Sequence, residues 1–221
     1  MLNLILAAAL LSDPVGTPVS LPAEPAPLHG TLLTPSTETR AAALIIAGSG
    51  PTDRDGNSPL GVSASSYRLL AEGLAARGVA TVRADKRGIA GSMAAGVREE
   101  DLRFTHLVDD ARAWAAETAR LTGRPCAWLI GHSEGALVAL AAVQDRDESI
   151  CGLVLLSGAG RPARVVLEEQ LGPRLPEPLR TEAFHALAEL EAGRLVPDAP
   201  PALAALLRPS VQPYLNSWLA L

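Results

Sequence analysis

The chain has 221 residues, enough for one domain with a sizeable hydrophobic core. Hydrophobic residues make up 48% of it and charged residues 19%, and the net charge of -5 excludes the basic surface typical of nucleic-acid-binding proteins. No apolar run reaches the ~18 residues that span a bilayer, so no membrane-spanning helix is predicted. The composition therefore favours a single globular domain.

The first fifteen residues resemble part of a signal peptide. Residues 2–11 are apolar apart from Asn3, like the h-region of such a peptide. No Lys or Arg precedes Arg40, however, and no clear A-x-A cleavage site follows. We therefore define residues 1–15 as a signal-like segment and expect a periplasmic or secreted protein, with a cytoplasmic location as the alternative.

Two short strand candidates, residues 19–21 and 28–33, lie in a proline-rich stretch and predict an antiparallel lead-in hairpin. The first strongly buried strand follows at residues 41–47. It runs into the glycine-rich, charged loop 48–57, whose exposed N–H groups predict an oxyanion hole. A phosphate cradle is the alternative, but the G-K-[ST] of a Walker A loop is absent.

The chain then alternates helices and strands. Residues 66–77 are amphipathic and end at Gly78, with Leu69, Leu70, Leu74 and Ala75 at helical spacing. A strand is predicted at residues 79–84 and a helix at 105–121. This alternation predicts a parallel sheet with right-handed crossovers.

The most informative stretch is G-H-S-E-G, residues 131–135. It follows an apolar run typical of a strand buried on both faces, and it precedes a predicted helix at residues 136–143. A strand, a sharp turn and a helix around G-x-S-x-G form a nucleophile elbow, built here from Gly131, His132 and Gly135 around the serine. Ser133 is therefore the candidate nucleophile, exposed at a helix N-terminus. A chance turn is the alternative.

After a further strand at residues 151–157, the pattern becomes helical. Residues 164–171, 179–190 and 201–221 are predicted helices separated by prolines, and Pro209 and Pro213 are expected to break the last one. We interpret them as a helical cap or lid over the sheet. The alternative is a plain helical flank of the core, because an apolar helical stripe packs on any neighbour.

These features together resemble the α/β-hydrolase family, through residues 48–51, residues 85–88, the elbow at Ser133 and the helices after Gly160. The string G-P-T-D-R-D-G-N, residues 50–57, is similar to a bacterial subgroup of esterase-like and serine-peptidase-like hydrolases. The resemblance implies an α/β fold with a mostly parallel sheet, a core at residues 16–160 and a lid at residues 161–221. It implies the Glu134 N–H as one oxyanion donor, and Ser49 is our choice for the second.

The chain departs from the family in its catalytic partners. The family order is serine, acid and histidine, with the last two after the lid. His185 and Asp198 both lie within the lid and in the wrong order, so neither is assigned. His106 could approach the site as a base, but a helix-start role fits it better. We expect the natural reading frame to continue and supply the missing strands, acid and histidine.

The predicted function is a serine hydrolase that attacks an ester or related acyl substrate through a Ser133 acyl-enzyme. One alternative is an aminopeptidase or amidase, whose amine-binding acids would be Glu99, Glu100 and Asp101, although a solvated loop explains these residues equally well. Another is a truncated, non-catalytic binding protein. No cofactor is implied, and no His/Cys cluster has metal-ligand spacing. The partner is a small acyl molecule, with homo-oligomers expected through an exposed sheet edge or the lid.

A disulfide between Cys126 and Cys151 is also predicted. In the α/β-hydrolase fold the strands that these cysteines open are parallel neighbours, ~4.8 Å apart. The same number of residues separates Cys126 from Ser133 and Cys151 from Gly158. The two cysteines should therefore lie side by side, within disulfide range. Two buried free thiols are the alternative.

Overall fold

The computed structural model describes residues 16–221, and the predicted signal-like segment at residues 1–15 lies outside the described residues. Within residues 16–221, no helix combines the length and the apolar character needed to cross a bilayer. The described strands are β1 Thr17–Leu21, β2 Leu28–Leu33, β3 Ala41–Ile46, β4 Asn57–Ser58, β5 Val62–Ser63, β6 Val79–Ala84, β7 Ala127–His132 and β8 Ile150–Leu156. The α-helices are α1 Ser66–Ala75, α2 Phe104–Thr122, α3 Glu134–Ala142, α4 Ala163–Leu171, α5 Leu179–Glu191, α6 Ala204–Leu207 and α7 Gln212–Leu219.

Six strands form one sheet in the order β1-β2-β6-β3-β7-β8. The strands β6, β3, β7 and β8 are mutually parallel, whereas β2 is antiparallel to both β1 and β6. This arrangement confirms the predicted α/β class, the mostly parallel sheet and the lead-in hairpin. The strands β4 and β5 form a separate small hairpin in the loop after β3.

The central strands are buried on both faces, as their continuous apolar runs predict. In β3, Leu44 faces a cluster formed with α2 and α3, while Ile45 faces a second cluster formed with α1. The same alternation in β7 places Leu129 and Ile130 on opposite faces. Helices therefore flank the sheet on both sides and exclude water from the strands that carry the elbow.

Helix α1 packs through residues that the sequence interpretation only partly identified. Tyr67, Ala71 and Ala75 are buried, at a spacing of four residues along one face. Leu69, which was assigned to the buried stripe, is 54% exposed. The prediction for Leu69 was wrong because the face of α1 that packs on the sheet carries Tyr67, Ala71 and Ala75, and Leu69 lies outside it.

The loop between β3 and α1 is held to the sheet by ion pairs. The guanidinium of Arg54 lies 2.6 Å from Asp85 Oδ2, and Asp85 also accepts the Arg54 backbone N–H at 2.7 Å. Asp85 Oδ2 also accepts the Gly91 N–H at 2.9 Å, whereas Arg87 pairs with Asp110 at 2.6 Å.

The helices after residue 160 form an apolar cluster of their own, with Leu187, Leu190 and Leu207 fully buried. Helix α7 docks this segment on the sheet domain, since Ser217 Oγ accepts the Phe104 N–H at 2.8 Å at the start of α2. Pro213 was expected to break the last helix, but it lies in the first turn of α7, where its missing N–H needs no partner.

The predicted disulfide is confirmed. Cys126 and Cys151 are bonded, with Cα atoms 5.2 Å apart. Their strands are not in the expected register, because Trp128 pairs with Gly152 and a β-bulge lies next to Cys151. The bulge absorbs the one-residue difference and keeps the two sulfur atoms within reach. The bond ties β8, the last strand of the sheet, to β7.

Candidate active site

Ser133 lies at the sharp turn between β7 and α3. Its backbone adopts φ 54° and ψ −118°, a conformation that few non-glycine residues occupy and that is common where function requires it. The Ser133 N–H donates to the carbonyl of Leu156 at 2.9 Å, so the end of β8 supports the turn. The strand–turn–helix geometry expected for a nucleophile elbow is therefore present at this serine.

The two elbow glycines allow the close contacts of this turn. A Cβ on Gly131 would overlap the backbone of Gly135, with the Gly135 carbonyl carbon 2.5 Å away. A Cβ on Gly135 would collide with the carbonyl oxygens of Ile46 and Ala47, at the end of β3. Helix α3 can approach the sheet this closely only because both positions lack a side chain.

Glu134 occupies the first position of α3. The N–H of a first helical residue has no acceptor within its own helix, and the helix dipole adds positive potential there. Ser49, Ser133 and Glu134 all line one cleft of about 620 Å³. The two residues assigned to the oxyanion hole thus share a cleft with the candidate nucleophile, and in residues 16–221 the Ser49 N–H has no backbone acceptor.

Gly48, which precedes Ser49, is fixed from two sides. Its N–H donates to the Tyr67 hydroxyl at 3.0 Å, and its carbonyl accepts a hydrogen bond from Lys86 Nζ at 2.5 Å. A Cβ on Gly48 would lie 3.2 Å from the Cβ of Ser133, so only glycine lets this loop approach the elbow without crowding. The Gly48 N–H is thus already hydrogen-bonded, whereas the Ser49 N–H has no backbone acceptor in the described part of the chain.

His132 points away from the cleft. Its Nδ1 lies 2.8 Å from the Tyr67 hydroxyl, which also accepts the Gly48 N–H. Burial raises the pKa of Tyr67, with the Gly48 hydrogen bond opposing the shift, so the hydroxyl stays protonated and can donate to His132. His132 therefore positions the loop, as its place on the far side of the elbow suggests.

A buried charged network, which the sequence did not predict, lies beside the two residues assigned to the oxyanion hole. The Glu134 carboxylate lies 3.4 Å from Lys86 Nζ and accepts the Tyr214 hydroxyl at 2.7 Å. Burial, and then the charge of Glu134, raise the pKa of Tyr214, so this hydroxyl is a permanent donor. One signal was available, because Lys86 is the only lysine in the chain.

The cleft walls come mainly from the segment after β8. Leu137, Val166, Leu167 and Trp218 supply apolar surface, and Gln170 supplies a polar group. A smaller cavity of about 40 Å³ between α2 and the sheet is too small for a substrate. The cleft above Ser133 is the candidate substrate site because it contains the candidate nucleophile.

No histidine is among the residues of the described chain that line this cleft, and Glu134 is the only carboxylate there. His106 Nδ1 accepts the Arg103 N–H at 3.1 Å and closes a capping box at the start of α2, which supports the helix-start interpretation. His185 is exposed on α5. The described residues thus bring the candidate nucleophile together with the two residues assigned to the oxyanion hole, and none of those that line the cleft is a histidine.

The acidic cluster considered for amine binding lies outside the cleft lining. Glu99 is bonded to Arg208 and Ser210, and Asp101 lies 2.7 Å from Arg98. Arg98 also lies 3.3 Å from Glu100. The guanidinium of Arg208 lowers the pKa of Glu99, so this carboxylate is a docking contact for the helical segment.

A family model described as serine aminopeptidase, S33, matches residues 60–200. Solved structures agree on the fold. A proline iminopeptidase from Mycobacterium smegmatis is 15% identical, with a TM-score of 0.56, over 89% of this chain and 69% of that one. An esterase from Pyrococcus furiosus is 18% identical, with a TM-score of 0.54, over 76% of this chain and 60% of that one. A carboxyl esterase from Bacillus coagulans is 16% identical, with a TM-score of 0.52, over 80% of this chain and 55% of that one.

The sequence has no significant match among the curated proteins. The chain spans 61% and 65% of two further matching structures, a hydrolase from Agrobacterium vitis and a dienelactone hydrolase from Anabaena variabilis. The family model covers more than half of the chain and includes the whole elbow. The chain therefore belongs to the serine aminopeptidase S33 family of α/β hydrolases.

Proposed function

We propose that this protein is a serine hydrolase that cleaves an ester or related acyl substrate through an acyl-enzyme on Ser133. The observation that carries the proposal is the strained Ser133 backbone, with φ 54°, at the head of α3 and on the floor of a 620 Å³ cleft. A serine oxygen that lines the cleft in this way can attack a carbonyl carbon that enters it. The hydroxyl proton passes to water or to a base outside the described cleft lining, and the alcohol leaves as the acyl-enzyme forms. The oxygen of that carbonyl becomes the oxyanion.

The oxyanion would be stabilised by the N–H groups of Glu134 and Ser49. Both residues line the cleft with Ser133, and Glu134 stands at a helix N-terminus, where negative charge is favoured. Removing one such donor typically costs ~10²–10³ in kcat. Leu137, Val166 and Leu167 would contact the substrate, and their apolar surface favours an uncharged acyl group.

Within this proposal the helices of residues 161–221 act as a lid, since they build most of the cleft wall and contact the core through α7. The disulfide between Cys126 and Cys151 supports a periplasmic or secreted location, because such bonds persist in oxidising compartments. We also expect homodimers through β8, an edge strand whose Val154 and Leu155 are 40% and 43% exposed. A monodisperse monomer by light scattering would contradict that expectation.

Labelling with a fluorophosphonate probe tests the proposal. The probe should modify Ser133, as located by mass spectrometry, and Ser133→Ala should abolish modification. Hydrolysis of p-nitrophenyl acetate and p-nitrophenyl butyrate should be measured alongside. Since no histidine is among the described residues that line the cleft, turnover by these residues alone should lie near the ~10³–10⁴-fold over water that binding and an oxyanion hole provide. Absence of labelling would contradict the proposal and favour a non-catalytic binding protein.

An aminopeptidase or amidase is the second candidate, and the matching family description favours it. The acidic residues that would bind a substrate amine, Glu99, Glu100 and Asp101, are paired with arginines outside the cleft. We therefore expect cleavage of p-nitrophenyl esters to exceed that of aminoacyl p-nitroanilides. Faster cleavage of the anilides would reverse this order of preference.

A further inference from the structure

We infer that Lys86 is a positioning residue that orients and polarises the Ser49 N–H in the oxyanion hole, an inference that rests on the proposed function. Lys86 follows β6, which lies beside β3 in the sheet, and its side chain is only 13% exposed. Its ammonium reaches the loop after β3, where it contacts the Gly48 carbonyl, and it also reaches Glu134. The Lys86 ammonium thus contacts the peptide that contains the Ser49 N–H, which is one proposed donor. It also contacts the side chain of Glu134, whose backbone N–H is the other proposed donor.

The geometry of the peptide between Gly48 and Ser49 makes this contact directional. The bond is trans, and in a trans peptide the carbonyl and the following N–H point in opposite directions. Lys86 Nζ holds the Gly48 carbonyl at 2.5 Å, so the Ser49 N–H must point away from the lysine. The Tyr67 hydroxyl fixes the preceding peptide through the Gly48 N–H. The orientation of the Ser49 N–H is therefore set before any substrate binds.

A charged donor on a carbonyl also polarises the peptide that contains it. Hydrogen bonds in chains strengthen one another, and a charge-assisted bond is about twice as strong as a neutral one. The Ser49 N–H shares its peptide unit with the carbonyl that Lys86 contacts. It should therefore bind a developing negative charge more strongly than an ordinary amide.

Glu134 keeps the ammonium in place. Its carboxylate is 3.4 Å from Lys86 Nζ, and the residue is only 7% exposed. The Tyr214 hydroxyl donates to the other carboxylate oxygen at 2.7 Å, so both oxygens have partners. A buried charge pair persists when its remaining hydrogen bonds are satisfied in this way. The network involves only the Glu134 side chain, and among residues 16–221 the Glu134 backbone N–H has no backbone acceptor.

The choice of residue type supports a specific role for Lys86. Arginine takes every other basic position in this chain, because only one of its 19 lysine and arginine residues is a lysine. A lysine ammonium is a compact point donor, whereas arginine presents a planar fork of five N–H groups. A single carbonyl oxygen beside a single carboxylate oxygen suits the point donor. Lys86 therefore lies at a position that a point donor fits better than an arginine.

The test compares Lys86→Met with a matched control, Arg87→Met. Arg87 is the next basic residue along the chain, and it is also buried and paired, with Asp110 at 2.6 Å, but it contacts neither Gly48 nor Glu134. We expect Lys86→Met to slow fluorophosphonate labelling of Ser133 about 10–100-fold, somewhat less than outright loss of an oxyanion donor. Arg87→Met should lower the unfolding midpoint and leave the labelling rate of the folded protein within about threefold of wild type.

Esters should give a second readout. A positioning role predicts that Lys86→Met lowers kcat for p-nitrophenyl acetate while KM stays nearly constant, because the interaction matters only when the oxyanion forms. Lys86→Arg should recover part of the rate, since it retains a cationic donor. Equal labelling rates in wild type and folded Lys86→Met would overturn the role of Lys86 and leave the proposed function standing. Absence of labelling in wild type would overturn both.

Amide hydrogen exchange in the wild-type protein keeps the inference testable if Lys86→Met does not fold. We expect the Gly48 amide to be protected from the outset by Tyr67, and the Ser49 and Glu134 amides to become protected only after phosphonylation of Ser133. An unchanged exchange rate at Ser49 after phosphonylation would overturn the inference. This measurement needs no substitution at Lys86 and distinguishes a donor from a buried bystander.

Discussion

Reduction of the Cys126–Cys151 disulfide should destabilise the protein measurably. The bond closes a loop with a sequence separation of 25 residues, which contains β7, the elbow and α3. Chain-entropy arithmetic for a loop of this length gives about 3.5 kcal/mol at 25 °C, because the cross-link removes conformations from the unfolded state. For a domain of this size, a change of about 3.5 kcal/mol corresponds to a decrease in Tm of ~7–14 °C.

Urea-induced unfolding, followed by tryptophan fluorescence with and without dithiothreitol, measures this difference. The double variant Cys126→Ser/Cys151→Ser is the control, and it should unfold at the reduced midpoint whether or not the reductant is present. The slope of the transition should fall in the oxidised protein, since the cross-linked unfolded state exposes less surface. A stability difference below about 1 kcal/mol would refute the reasoning, as would two alkylatable thiols in protein prepared under oxidising conditions.

Four further substitutions probe the site, its supports and the docking of the helical segment. Gly135→Ala should lower the unfolding free energy by about 1–3 kcal/mol in urea melts, because the new Cβ would meet fixed carbonyl oxygens at the end of β3. Gly73→Ala is the matched control, because its Cβ would meet no atom nearer than 4.0 Å, and it should raise the unfolding free energy by about 0.5–1 kcal/mol. Tyr67→Phe should lower the unfolding free energy by about 1–3 kcal/mol in the same assay, because the buried Gly48 N–H loses its acceptor. An unchanged free energy would show that the loop rearranges. Glu99→Gln should cost less than about 1 kcal/mol, because its pair with Arg208 is exposed. The Arg208 pair lowers the pKa of Glu99 on folding, so its contribution is complete above the ordinary pKa of a glutamate and is lost as the pH falls through the lowered value. Unfolding free energies of wild type and Glu99→Gln measured from pH 7 to pH 3 should therefore converge in acid, and a gap that widens in acid would contradict this assignment.

Local patterns were enough to predict the elbow. A short apolar run, G-H-S-E-G and a second apolar run place a strand, a turn and a helix in order, because each element depends on residues close in sequence. The two glycines specified how tightly the turn is packed, and the structure places both of them against backbone atoms. The mostly parallel sheet followed from the same regular alternation of strands and helices.

Side-chain orientation was harder to predict. Leu69 has the hydrophobicity of a core residue, yet α1 turns its Tyr67 face to the sheet and leaves Leu69 largely exposed. Asp85 was correctly placed at a strand end, but its partner is Arg54, from a loop 31 residues earlier. Both outcomes depend on which surfaces meet when separate elements pack, which periodicity alone does not specify.

The sequence by itself indicated the fold class and the candidate nucleophile, because apolar periodicity and glycine positions are read from neighbouring residues, whereas the pairing of the two cysteines followed from the strand order of the family that the sequence resembles. Only the tertiary structure decided that Lys86, Gly48 and Glu134 meet. They come from three strand ends, separated by 38 and 48 residues, and they converge because β6, β3 and β7 are adjacent in the sheet. Because the site is buried, the Lys86–Glu134 ion pair and the orientation of the Gly48 carbonyl are both maintained, since an unpaired charge in that position would be costly.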